Sequence, residues 1–87
     1  MSTADLIRQR LAVLDPETFT LDDESAQHRG HAGAASGGGH FRLTLVSPRF
    51  RNLSTLARHR LVYEAMGELM QREIHALSIT ALTPEEL

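Results

Sequence analysis

The 87-residue chain has no cysteine, no lysine and no tryptophan, and only four aromatic rings, three Phe and one Tyr. Without a thiol there is no disulfide staple, no CxxC redox pair, no thiolate zinc site and no cysteine nucleophile. No serine sits in a G-x-S-x-G elbow. Gly37-Gly38-Gly39 runs into a strand-like segment, not into the helix start that cradles phosphate. The carboxylates show no pairing that points to acid–base work, so a non-enzymatic protein is expected. No apolar run approaches the ~20 residues of a membrane span, and residues 1–10 lack the apolar core of a signal peptide. The expectation is a soluble, cytoplasmic domain.

What is present is enough for one domain spanning residues 1–87. Hydrophobic residues make up 41% of the chain, which permits a core of modest size. The formal net charge of −2 says little, but its distribution says more. Asp15, Glu17, Asp22, Asp23 and Glu24 form an acidic stretch, whereas Arg42, Arg49, Arg51, Arg58 and Arg60 follow with no acid among them. All nine cations are Arg. A planar guanidinium fork suits phosphates and carboxylates, although a bias toward Arg codons accounts for the same count.

Ser2-Thr3-Ala4-Asp5 reads as a capping box opening a helix, with Leu6, Ile7, Leu11 and Leu14 at helical spacing and Asp15-Pro16 closing it. Residues 18–22 alternate as a short strand, and His40–Val46 forms a second with Phe41, Leu43 and Leu45 on one face. Between them residues 23–39 hold five of the six glycines and no large apolar side chain. That composition predicts a flexible, overlong hairpin tip. Asn52 or Ser54 caps a helical region reaching about Arg72, as one rod or as a short helix, a turn and a longer helix. Leu56, Val62, Ala65, Met66 and Leu69 would face inward. Ile74–Leu82 is the third strand, and Thr83-Pro84-Glu85-Glu86 starts a last helical stub. The order αββααβ(α) implies an α+β fold. A helical crossover lets the second and third strands lie parallel, giving a three-stranded mixed sheet with helices packed on one face.

The five histidines are the candidates for chemistry. His28 and His31 lie in the Gly-rich loop, His40 at its end, His59 between two arginines and His75 at the start of the third strand. Imidazole ligates Zn, Cu, Fe and Ni, and two imidazoles from one chain leave positions open to ligands from elsewhere. The plainer readings stand beside this one. His28 and His31 read as solvated loop residues and His59 as a packing residue. His75 shares the parity of Leu77 and Ile79, which reads as a hydrogen-bonded histidine at the core edge.

Five segments in order, Gly39-His40-Phe41-Arg42-Leu43, Val46-Ser47-x-x-Phe50, Arg58-His59-Arg60-x-Val62-Tyr63, Ile74-His75-Ala76-Leu77-Ser78-Ile79 and Thr83-Pro84, resemble the BolA family over nearly the whole chain. The resemblance implies a class II KH-like fold. It also implies a partner, a monothiol glutaredoxin of the CGFS type, with which BolA-like chains share a [2Fe–2S] cluster that the isolated chain does not bind. The glutaredoxin cysteine and glutathione supply part of the ligand set there. By motif His75 carries over as a cluster ligand, and the second ligand comes from the hairpin loop. In a chain without cysteine this is His31 or His28, with His31 favoured because it lies deeper in the Gly-rich segment. The implied role is iron–sulfur trafficking or sensing. The family alternative is a DNA-binding transcriptional regulator, for which Arg49, Arg51, Arg58 and Arg60 would make the phosphate-contacting face; the same arginines would serve equally to dock the glutaredoxin or glutathione's carboxylates. The G-x-x-G clamp of nucleic-acid-binding KH domains is missing, since the corresponding turn is Phe50-Arg51-Asn52-Leu53.

Overall fold

A computed structural model describes residues 1–24 and 39–87 of the chain. Helix α1 (Thr3–Leu11) starts at Ser2, whose hydroxyl accepts the Asp5 N–H at 3.1 Å while the Asp5 carboxylate accepts the Ser2 N–H at 3.2 Å. Two orphan amides are thereby satisfied reciprocally. One turn apart, Ile7 and Leu11 are fully buried. A 3-10 turn (Ala12–Leu14) follows, and Asp15 at φ 50 ends the helical path before Pro16.

Strands β1 (Thr18–Asp23) and β2 (Gly39–Val46) pair antiparallel, with Phe19 opposite Leu45, Leu21 opposite Leu43 and Asp23 opposite Phe41. Beyond β2, Ser47 is fully buried. Its hydroxyl donates to the Leu14 carbonyl and accepts the Arg49 N–H, so one side chain ties the end of β2 to the end of the first helix. A 3-10 turn (Pro48–Phe50) buries Phe50 completely, a burial that stabilises by roughly 1.5–3 kcal/mol. Asn52 then turns the chain at φ 64, a region that Asn tolerates and most residues with a Cβ avoid. Helix α2 (Thr55–Met66) begins where the Ser54 hydroxyl accepts the Ala57 N–H. It stops at Gly67, whose φ of 56 suits a residue without a Cβ. Helix α3 (Leu69–Arg72) leads into β3 (Ile74–Leu82), which runs parallel to β2. A final 3-10 turn (Pro84–Glu86) closes the described chain.

The sheet order is β1-β2-β3. Phe41, Leu43 and Leu45 of the central strand pack with Ile7, Leu11 and Leu14, with Phe50, and with Val62, Met66 and Leu69, so all three helices cover one face. At its margin the Arg8 guanidinium lies 4.4 Å over the Phe19 ring. Thr18, Thr20, Asp22, Arg42, Ser78 and Thr80 are exposed on the opposite, helix-free face. The α+β arrangement expected from the sequence is the one observed.

Three details differ from the sequence reading. Of the two forms the sequence left open for the helical region, the short helical turn (Pro48–Phe50), turn and longer helix is the one observed, but the longer helix breaks at Gly67 before Arg72. Leu56, expected inward, is 61% exposed, because α2 buries the stripe through Val62 and Met66. The register of β3 is offset at its start, with consequences for His75 given below. The hairpin tip expected over residues 23–39 begins at the last residue of β1 and ends at the first of β2; its residues 25–38 lie outside the described residues.

A candidate metal-binding end of the sheet

Because β2 and β3 are parallel, both begin at the same end of the sheet, and antiparallel β1 finishes there. Asp23, Glu24, Gly39, His40, Ile74 and His75 therefore share one edge. Pairing continues past β1, since the Glu24 N–H donates to the His40 carbonyl at 2.7 Å. Gly39 donates to the Glu73 carbonyl at 3.2 Å, which anchors the other end of the hairpin connection to the residue before β3. The Arg42 guanidinium reaches Glu24 at 3.4 Å alongside.

The register shift decides which way His75 faces. Gly39 pairs with Ile74, but the next residue, His40, pairs with Ala76. His75 is the extra residue of a bulge, and an extra residue reverses the side-chain alternation across it. Ile74 thus turns into the core at 5% exposure and Leu77 also faces inward, while His75 is exposed. His75 is therefore not the core-edge residue that its parity with Leu77 and Ile79 suggests, because counting by twos from Leu77 ignores the bulge. Gly39 belongs to the same device. A Cβ there would lie 2.4 Å from Cε2 of the Phe41 ring.

The structure brings one further histidine to this place. His40 is half-buried, and its ring centroid lies 4.8 Å from that of His75 with the planes tilted by 41°. The Nε2 of His40 is buried. Sequence reasoning left His40 ambiguous. The parallel pairing of two strands that each carry histidine in second position, at residues 40 and 75, was the signal that could have joined them. Of the other candidates, His59 is half-buried on α2, and His28 and His31 lie outside the described residues. Among the described residues no group of three or more metal-ligating side chains converges. An exposed imidazole with a second ring against it can offer one neutral nitrogen donor to a borderline or soft metal centre, the rest of whose ligands come from elsewhere.

The arginine candidates occupy a different region. Arg49 reaches Asp15 at 3.4 Å, both side chains being exposed. Arg51 grips Glu85 through two bonds of 2.9 and 2.6 Å; the hydrogen bonds hold the Glu85 carboxyl below its ordinary range and raise the Arg51 guanidinium above its own. Arg58 is the most enclosed, with 12% of its side chain exposed. It donates to the Leu53 carbonyl at 2.9 Å, the Ala81 carbonyl at 3.0 Å and the Glu86 carboxylate at 2.6 Å. Glu86 also accepts the Thr83 N–H, and the Arg58 bond first, then that amide, bring its carboxyl down to about 2. Arg60 is exposed on α2 and has no ion pair among the described residues. Three of these four guanidinium groups thus hold carboxylates of the chain itself.

Fold and site together define a small α+β domain, a three-stranded mixed sheet with helices on one face and an exposed imidazole at the sheet's end. A family model described as BolA-like protein matches residues 11–86, and the chain belongs to the BolA-like family. It is 46% identical over 81 residues to BolA-like protein 1 of Mus musculus, covering 92% of this chain and 57% of that protein. It is 32% identical over 87 residues to a protein of Haemophilus influenzae named DNA-binding transcriptional regulator BolA, covering 99% of this chain and 82% of that one. Among solved structures, the BolA domain of SufE1 from Arabidopsis thaliana superimposes with a TM-score of 0.85 at 40% identity, covering 100% of this chain and 98% of that one. The chain spans little more than half the length of the mouse relative. Among the described residues no helix is long and apolar enough to cross a membrane.

Proposed function

We propose that this chain is a non-enzymatic, cytoplasmic partner of a monothiol glutaredoxin, holding part of a glutathione-containing [2Fe–2S] cluster for iron–sulfur trafficking or sensing. His75 would be one ligand, and His31 or His28 the other. The observation that carries this reading is the exposure of His75 beside the two roots of the hairpin connection, Glu24 and Gly39. Residues 25–38, which include His28 and His31, join those two roots in the chain. The donor chemistry fits, since imidazole is an accepted ligand in [2Fe–2S] centres and neutral imidazoles leave the cluster less negative than thiolates do. Ligands divided between two proteins also suit release more than permanent storage.

The test is reconstitution with a CGFS glutaredoxin, glutathione, iron and sulfide, read by visible absorption and circular dichroism. His75→Ala abolishes the change in the spectrum that this chain produces, and Arg49→Ala leaves it. A His75→Ala chain that alters the spectrum as the parent does contradicts the ligand assignment.

The second reading, a DNA-binding regulator using Arg49, Arg51, Arg58 and Arg60, is favoured by the name of the Haemophilus influenzae relative. Four free guanidinium groups on phosphates would give a log–log salt slope of roughly −4. Because three of the four hold Asp15, Glu85 and Glu86, a shallower slope is expected here. Fluorescence anisotropy with duplex DNA at two salt concentrations measures it, and a slope near the full value would favour the regulator.

A further inference from the structure

The bulge that exposes His75 also removes the constraint that normally orients a strand side chain. His75 has no counterpart in the β2 register, since pairing passes from Gly39–Ile74 directly to His40–Ala76. Something other than the pleat must hold its ring. The ring that lies against it is that of His40, whose centroid is 4.8 Å away at a tilt of 41°, within the range where offset and tilted aromatic pairs attract. His40 is itself anchored. It sits on the central strand, its carbonyl accepts the Glu24 N–H, and its Nε2 is buried.

We propose, resting on the reading of His75 as a ligand, that His40 is a positioning residue: its ring forms a wall that holds the His75 imidazole in one orientation before the partner arrives. Histidines that ligate metals ordinarily have their ring orientation set by a second group, and losing that group costs about tenfold or more in metal retention. Here a ring contact takes the place of the usual hydrogen bond. The ordering is then complete in the isolated chain, which lessens the entropy lost when the complex forms. Gly39 makes the arrangement possible, because a side chain at that position would displace the Phe41 ring just beneath it.

The test uses His40→Ala and His40→Phe in the full chain, with folding checked by far-ultraviolet circular dichroism. Histidine-ring NMR signals of the chain alone report His75 directly. In His40→Ala they move and broaden as the ring gains freedom; in His40→Phe, which keeps a ring but no nitrogen, they stay sharp. In the reconstituted glutaredoxin complex, His40→Ala loses the cluster about tenfold faster, while His40→Phe retains it near the parent rate. His75 signals unchanged in His40→Ala would overturn the proposal. So would a His40→Phe chain that loses the cluster spectrum as completely as His75→Ala, because His40 would then be a ligand. A His75→Ala chain that keeps the spectrum would sink the ligand assignment itself, and the two failures are told apart because the ring signals are read with no cluster present.

Discussion

Arg58→Ala separates a structural arginine from a ligand-binding one. Its guanidinium spends one N–H on the Leu53 carbonyl before α2 and another on the Ala81 carbonyl near the end of β3, then clasps Glu86 in the last turn. The start of α2 and the stretch from the end of β3 to the last turn, 23 to 28 positions away, are thus joined through one side chain that is 12% exposed. Hydrogen bonds from a charged donor contribute about 1.5–3 kcal/mol each, but water recovers part of that at the two carbonyls once the side chain is gone. The net loss is about 2–3 kcal/mol. In a domain of this size each kcal/mol moves Tm by about 4–8 °C, so a fall of about 10–20 °C is expected. Arg51→Ala is the control, since Arg51 and Glu85 are each more than half exposed and surface pairs contribute little. Thermal unfolding followed by far-ultraviolet circular dichroism at pH 7 compares the two. A fall for Arg58→Ala no larger than that for Arg51→Ala would refute the reasoning.

Glu86 sets a pH dependence: the Arg58 bond, then the Thr83 amide, hold its carboxyl down at about 2, below its ordinary value of 4.5. A depressed carboxylate stabilises the fold above the unfolded value and loses that contribution as pH falls through the folded one. The parent should therefore lose more Tm than Glu86→Gln between pH 4.5 and 2, and parallel curves would contradict the clasp. Gly67→Ala places a Cβ at φ 56, 3.2 Å from Nη1 of Arg10, and should cost about 1–3 kcal/mol in denaturant unfolding. Asn52→Gly, at φ 64, should be close to neutral in the same experiment. Gly39→Ala drives a methyl into the Phe41 ring; overpacking of this kind costs about 1–3 kcal/mol, and histidine-ring NMR should show His75 displaced together with the core.

Elements with strong punctuation were legible in the sequence. The capping box at Ser2, Pro16, Ser54 (one of two candidate caps, with Asn52) and Thr83-Pro84 mark ends that the structure places within a residue or two, because caps and proline act locally. The α+β architecture followed from the strand periods and from a crossover long enough to make β2 and β3 parallel. What local pattern could not show was the bulge. It lies where pairing passes from Gly39–Ile74 to His40–Ala76, and no residue in 74–76 announces it. The His40–His75 contact depends on that offset and was hidden for the same reason. Leu56 misled because an apolar residue in the first turn of an amphipathic helix looks inward unless the face of the helix is known. The arginine cluster looked open because its acids, Asp15, Glu85 and Glu86, lie 34, 34 and 28 positions from their partners.

Whether His75 donates to iron is the central question. Pulsed electron paramagnetic resonance of the reduced cluster in the glutaredoxin complex answers it most directly, with nitrogen-15 carried only by the histidines of this chain. Nitrogen-15 hyperfine coupling in the parent, lost in His75→Ala, is the result expected. Coupling identical in parent and variant, or no coupling from this chain at all, would contradict the account.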